Sequence, residues 1–193
     1  MRIHRLLSQT KAEGPGLRFC IWAQGCSHAC PGCFAEALWD PAGGEEIGAD
    51  EIIRQIALQT GKIRGVTILG GEPFEQAAEL GEIAAFAQNA GMDVITFTGS
   101  TLEALRTKPE AALLLTNTDL LIDGPYVQKL QDFSRPLVGS KNQKFRFLTQ
   151  RFSPEEINSY KNRIEVRVGP DGAVRMNGMG DLNRLTEYKK HFI

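Results

Sequence analysis

Short apolar runs that end in glycine, each followed by a segment of helical spacing, constrain this fold more than any other feature of the chain. Gly65-Val-Thr-Ile-Leu69 closes at Gly70-Gly71, and Leu80, Ile83, Ala84 and Ala87 then recur at helical intervals up to a stop at Gly91. Val94-Ile-Thr-Phe97 runs into Thr98-Gly99, after which Ser100 and Glu103 have the spacing of a capping box. Leu120-Leu-Ile122 closes at Asp123-Gly124. Upstream, Glu13-Gly-Pro-Gly16 reads as a turn and Leu17–Ala23 as a strand; Asp50 then caps a helix bearing Ile52, Ile53, Ile56 and Ala57 that ends at Gly61. Downstream come a strand at Phe145–Leu148 and a helix start at Ser153-Pro-Glu-Glu156 with proline in the first position. Ile164–Val168 and Val174–Met176 then form a hairpin about Asp171-Gly172, and a short terminal helix follows. No internal repeat or low-complexity stretch interrupts this order.

Strands that alternate with helices imply crossover units and a parallel sheet. Such sheets bind ligands beyond the carboxyl ends of their strands. Gly70, Gly71, Glu72, Thr98, Gly99 and Asp123 all fall at those ends, on one rim with the loop that follows Leu17–Ala23. Paired glycines there let backbone approach a ligand closely, and Glu72 offers a carboxylate to an amine. A plain turn with a solvated glutamate is the bland alternative.

That loop reads Gly25-Cys-Ser-His-Ala-Cys-Pro-Gly-Cys-Phe34, placing Cys26, Cys30 and Cys33 in a C-x3-C-x2-C triad. Thiolates suit zinc or iron–sulfur. A cubane cluster normally takes four of them, so three leave one iron open, and an open coordination position marks a catalytic site. Zinc would need a fourth side chain such as His28. Lying between two of the cysteines, His28 is poorly placed for joint ligation, and the spacing favours a cluster. The fourth cysteine, Cys20, lies in an apolar run and behaves as a small buried hydrophobe.

Bulk properties limit the remaining classes. At 193 residues, 42% hydrophobic and 23% charged, the chain suits one globular domain spanning 1–193. A net charge of -1 argues against nucleic acid or an anionic membrane as partner. No apolar run approaches the roughly 18 residues of a membrane span, and no apolar h-region follows Met1-Arg-Ile-His-Arg5, so a cytoplasmic location is expected. The crowded cysteines resemble a metal site rather than a disulfide framework.

The cysteine triad followed by Gly70-Gly71-Glu72-Pro73 resembles the radical S-adenosylmethionine (SAM) superfamily. Gly14-Pro-Gly16, Trp39, Thr98-Gly99, Asp123-Gly124 and Gly139-Ser-Lys-Asn-Gln143 narrow the resemblance to the activating proteins of anaerobic, class III ribonucleotide reductase, over roughly residues 10–150. The resemblance implies that Cys26, Cys30 and Cys33 hold a 4Fe–4S cluster whose open iron is chelated by the amine and carboxylate of SAM. Gly70, Gly71 and Glu72 would receive the methionine amine, and Thr98 and Gly99 would lie near the ribose or carboxylate. Asp123 would place SAM, bind a monovalent cation or serve as a simple turn residue. Reductive cleavage would yield methionine and a 5′-deoxyadenosyl radical that takes hydrogen from a glycine of the partner enzyme, fed by a low-potential donor such as flavodoxin or ferredoxin.

Two departures accompany the resemblance. Gly32 stands where many superfamily members carry an aromatic residue against adenine, which makes Phe34 the substitute candidate. Residues 151–193, including Arg167 and Gly178-Met-Gly180, form a C-terminal extension that could reshape a docking face. Lys141, Lys144, Arg146 and Arg151 belong either to that face or to a solvated surface. The implied fold is an incomplete β/α barrel of radical SAM type, a parallel sheet with outer helices, because a closed eightfold barrel takes about 250 residues. Direct modification of a peptide or small molecule, and a non-enzymatic metal-binding interaction module, are the alternative functions.

Overall fold

A computed structural model describes residues 1–180. The elements in chain order are β1 (Arg2–Thr10), β2 (Arg18–Ala23), β3 (Glu45–Glu46), α1 (Ala49–Ala57), β4 (Gly65–Gly70), α2 (Ala77–Asn89), β5 (Asp93–Phe97), α3 (Leu102–Leu105), α4 (Ala112–Thr116), β6 (Leu120–Asp123), β7 (Lys144–Phe147), α5 (Pro154–Ser159), β8 (Ile164–Val168) and β9 (Val174–Gly178). Short 3-10 turns fill several of the connections. Strands β3-β1-β2-β4-β5-β6-β7 form one mixed sheet, and β8 and β9 form a separate hairpin.

The centre of the sheet, β2-β4-β5-β6, is parallel, as the strand–helix alternation requires. Its strands are buried on both faces, which explains their continuous apolar runs. One face packs Phe19, Ile21, Val66, Ile68, Val94 and Leu121 against Ile52 and Ile56 of α1 and Leu80, Ile83, Ala84 and Ala87 of α2. The other face carries Ile95, Leu120 and Ile122, covered by Leu137, Val138, Phe152 and Ile157. The strand ends line up because Ala23 pairs with Gly70 and Ile68 with Thr96.

The edges differ from expectation. β1 precedes the strand read as first and pairs antiparallel with β2, so the cysteine loop follows the second strand. β1 hides from a search for apolar runs because only Ile3 and Thr10 along it are fully buried. β7 runs antiparallel to β6, since residues 124–143 contain only a 3-10 turn and no crossover helix returns the chain to the opposite end of the sheet. At the helix starts, Gly48 rather than Asp50 is the N-cap of α1, and Asp50 lies in the first turn, where it favours the helix dipole. Thr101 rather than Ser100 caps α3 by accepting from Ala104 N. Ser153 caps α5 as expected, accepting from Glu156 N.

Two polar assemblies fasten the frame. At the end of the sheet away from the cysteine loop, the fully buried Arg18 meets Asp93 Oδ1 at 2.6 Å and donates to Thr67 Oγ1 and to the carbonyls of Pro15 and Val66. Arg64 extends this pair by bonding Asp93 Oδ2 and Glu156, with its guanidinium over Phe152. The hairpin is tied to β1 and the turn after it: Arg5 donates to Met176 O, Lys11 N to Glu165, Arg167 to Gln9 O, and Asn177 Nδ2 to both Thr10 Oγ1 and Glu13 Oε1. Asp171-Gly172 lies in its loop, which closes through Gly169 N to Ala173 O. The terminal helix expected beyond the hairpin lies outside the described residues.

Candidate functional site

The cysteine loop leaves β2 at Ala23 and is seated on the end of β4 by backbone contacts. Gly71 N donates to Ala23 O and Glu72 N to Gly25 O, both at 2.8 Å. A Cβ on Gly71 would stand 2.1 Å from Gly25 O, and one on Gly70, whose φ is +118°, 2.5 Å from Ala23 N. Only paired glycines permit this approach. The loop is pinned from its far side by Gly25 N to Leu38 O and Cys26 N to Trp39 O, and at its crest by Glu75, which accepts from Ser27 N and Ser27 Oγ.

Cys26, Cys30 and Cys33 are half-buried free thiols that line one cavity with Gly70, Gly71, Thr98 and Gly99. Turns at Gly25 (φ +96°), Ala29 (φ +42°) and Gly32 (φ +73°) bring them to the same wall. Burial pushes the Cys26 thiol pKa up, opposed by hydrogen bonds from the backbone of His28 and Ala29. Ala35 N donates to Cys33 Sγ at 3.4 Å. Among the described residues no group of three His, Cys, Asp or Glu side chains meets the geometry of a single-ion site. All three thiols line the same cavity, and a cubane takes each thiolate at a different iron, so its ligands need not meet at one point. Cys20 is buried in the sheet, away from the cavity, and desolvation raises its thiol pKa.

Glu72 lies directly behind the cavity wall and is only 2% exposed. Its Oε1 accepts from Phe74 N (3.0 Å) and its Oε2 from Gly99 N (2.9 Å), while Thr98 Oγ1 donates to the carboxylate at 2.8–2.9 Å. It therefore caps the 3-10 turn after Pro73 and holds the end of β5 beside that of β4. His28 occupies its outer side: Nε2 is 3.1 Å from Glu72 Oε2 and 3.2 Å from Ser100 Oγ. The hydrogen bond to Glu72 holds the imidazole pKa above its ordinary 6.5. His28, poorly placed by its spacing to share a metal with the cysteines, is the partner of the acid expected to receive an amine.

The remaining candidates divide. Asp123 is buried; its Oδ2 accepts from Leu102 N and Arg146 Nε, and its Oδ1 has no partner among the described residues. Arg146 is thereby a structural cation, paired with Glu103 as well, and Arg151 bonds Gly91 O. Phe34, the adenine candidate, is 54% exposed, lines a neighbouring groove and packs edge-on against Tyr126 of the cysteine cavity. Trp39, Phe97 and Tyr126 contribute aromatic rings to the cavity wall. Tyr126 went unremarked in the sequence, although it stands just beyond Asp123-Gly124 at a strand end. Gln143 also lines the cavity, where it accepts from Gly139 N and Ser140 N and donates to Gly124 O, so the Gly139–Gln143 motif closes the loop after β6.

Comparison with known proteins agrees with this geometry. Residues 12–146 match the family model described as 4Fe-4S single cluster domain. The chain is 30% identical over 151 residues to the anaerobic ribonucleoside-triphosphate reductase-activating protein of Escherichia coli, covering 74% of this chain and 96% of that protein. It is equally similar, at 30% over 139 residues, to the protein of the same name from Haemophilus influenzae (68% and 88%), and 26% identical over 136 residues to that of Enterobacteria phage T4 (67% and 84%). On a site of three thiols facing a Gly-Gly-Glu strand end, and on matches that span most of its length, the chain belongs to the family of anaerobic ribonucleoside-triphosphate reductase-activating proteins.

Proposed function

We propose that the protein is a radical SAM activase that installs a glycyl radical on an anaerobic ribonucleoside-triphosphate reductase, using a partial β/α barrel and a low-potential electron donor. The observation that carries this reading is the meeting of Cys26, Cys30 and Cys33 with the Gly70-Gly71-Glu72 strand end around one cavity, in a chain of the activating-protein family. Cys26, Cys30 and Cys33 would hold a 4Fe–4S cluster. When cluster and SAM are bound, the chemistry they supply is one-electron cleavage of the sulfonium to methionine and a carbon radical that takes hydrogen from a glycine.

This chain's residues would bind, orient and shield. Glu72 would take the methionine ammonium on the face that His28 covers, so the imidazole would yield its place to the ligand. Thr98 and Gly99, held by Glu72, would present the end of β5 to the ribose or carboxylate. Tyr126 and Trp39 would exclude water from the cavity, which matters for a short-lived radical. Asp123 Oδ1 would serve a polar group of SAM or a monovalent cation.

The test is anaerobic. Protein reconstituted with iron and sulfide, given SAM, reductant and the reductase, is expected to show cluster absorption and a carbon-centred glycine signal by electron paramagnetic resonance. Cys30→Ala should abolish cluster assembly and SAM cleavage in a folded protein; cleavage retained by that variant would refute the site, and zinc in place of a cluster would refute the chemistry.

A further inference from the structure

Gln24 stands between the last residue of β2 and the first cysteine of the loop, and it is only 3% exposed. A buried amide costs free energy unless its donors and its acceptor are met. Here all of them are. Nε2 donates to Ala37 O at 3.2 Å and to Asp40 O at 2.8 Å, while Oε1 faces His4 Nδ1 at 3.1 Å. Two carbonyl oxygens on one side of the amide identify that side as the nitrogen.

The two backbone donors that follow Gln24 serve the same segment. Gly25 N reaches Leu38 O at 2.8 Å, and Cys26 N reaches Trp39 O at 3.2 Å. The carbonyls of residues 37–40 are therefore gathered in succession, with the glutamine side chain holding the first and the last. Beyond them the chain folds over the amide: a Cβ on Gly43 would stand 2.6 Å from Gln24 Nε2. Arg2 then takes the carbonyls of Ala42 and Gly43. Among the described residues 36–44, a 3-10 turn at Glu36–Leu38 is the only regular element. The shape of this segment thus depends on the side chains that collect its carbonyls, and its Trp39 ring lines the cysteine cavity.

We propose that Gln24 is a positioning residue of the site. Through the carbonyls of Ala37 and Asp40 it holds segment 36–44 in the shape that keeps Trp39 against the cavity and gives the Cys26 backbone its partner. Gln24 itself is not on the cavity wall, so it acts through that segment. A buried amide with every bond made restricts its neighbours to one arrangement, and a site that excludes water needs a wall that does not shift. The inference rests on the cluster reading for what the cavity holds, and on the hydrogen bonds alone for how the cavity is held.

The full-length chain tests this by three measurements. They are amide exchange resolved by residue, acrylamide quenching of Trp39 with the other tryptophan removed as Trp22→Phe, and iron bound after reconstitution. Gln24→Glu sets a carboxylate against two carbonyls, acceptor against acceptor, and Gln24→Leu removes the donors without adding charge. In both variants exchange at Gly25 and Cys26 should quicken by about tenfold or more, the equivalent of one net hydrogen bond. Trp39 should become more open to the quencher, and iron per chain should fall. His4 is exposed, and its loss admits water to Oε1, so His4→Ala should leave all three readouts unchanged. A lowered melting temperature in the Gln24 variants, with exchange and quenching as in wild type, would make Gln24 a packing residue and overturn the proposal. So would unprotected Gly25 and Cys26 amides in the wild-type chain, a measurement that needs no variant to fold. Wild-type protein that protects these amides yet assembles no iron–sulfur cluster would refute the cluster reading alone.

Discussion

Glu72→Gln separates two roles that the structure superimposes on one carboxylate. Glu72 braces the rim, accepting from Phe74 N, Thr98 Oγ1 and Gly99 N, and is proposed to receive an ammonium. Glutamine keeps one acceptor, enough for Phe74 N and Thr98 Oγ1, but turns an NH2 group toward Gly99 N–H, donor against donor. Leaving that N–H unmade costs about 1–3 kcal/mol. In a domain of this size each kcal/mol lowers the melting temperature by about 2–4 °C, so a fall of roughly 2–12 °C is expected. The proposed charged hydrogen bond to the ligand is worth about 1.5–3 kcal/mol, or roughly 10- to 150-fold in SAM affinity. The assay is anaerobic equilibrium dialysis of labelled SAM, with iron content and a thermal melt on the same sample. Iron content should be unchanged because no cysteine is touched. A lowered melt with wild-type SAM affinity would show that Glu72 is only a strut, and the amine assignment would fall. Alanine is the poorer probe, since it also strips the acceptor from the buried turn at Phe74.

Further outcomes follow from the packing. Gly71→Ala places a methyl 2.1 Å from Gly25 O, so the cysteine loop must lift; overpacking of this kind costs about 1–3 kcal/mol, and iron bound per chain should drop, with full loading contradicting the seating described. Arg18→Met removes the buried partner of Asp93 and should cost about 3–5 kcal/mol in urea unfolding; a loss below 1 kcal/mol would mean that Arg64 alone suffices. Burial lifts the Glu13 carboxyl above its ordinary 4.5. The stability tied to its neutral form is therefore complete below pH 4.5 and is lost as pH rises through the higher folded value. Stability measured against pH should fall over that window in the wild type and not in Glu13→Gln, and superimposable curves would exclude the effect.

The central strands and the rim were legible because burial on both faces writes a continuous apolar run, and glycine marks where it stops. Gly70-Gly71, Thr98-Gly99 and Asp123-Gly124 are such stops, and the residues predicted for the site cluster there. β1 was not legible: its single fully buried apolar residue, Ile3, sits among Arg2, His4 and Arg5, whose long side chains pair with loops and with the hairpin. Ser100 and Thr101 are adjacent and chemically equivalent as caps; the tie is decided in space, where Ser100 Oγ meets His28 and Thr101 is left to α3. Phe34 follows a left-handed turn at Gly32 (φ +73°) by two residues, a backbone state that apolar spacing does not announce. The buried Arg18–Asp93 pair joins residues 75 positions apart, beyond any local pattern.

The rim itself behaves as one hydrogen-bonded belt. Glu72 N reaches back to Gly25 in the cysteine loop, and Glu72 Oε2 reaches forward to Gly99 N. Thr98 N binds Ile122 O, Gly124 N binds Ser100 O, and Asp123 Oδ2 returns to Leu102 N. Each strand end is thus held by the next, and the belt runs from the first cysteine to the loop that carries Tyr126 and Gln143. Neighbours in one such network couple by about 0.5–3 kcal/mol, whereas sites beyond 7–10 Å with no shared partner add. Arg18, at the opposite end of the sheet, shares no partner with the belt. Glu72→Gln combined with Gly71→Ala should therefore deviate from additivity, and Glu72→Gln combined with Arg18→Met should not. Additivity in both pairs would mean that the belt is a row of independent contacts, and that the cysteine loop gains nothing in position from the strand ends beside it.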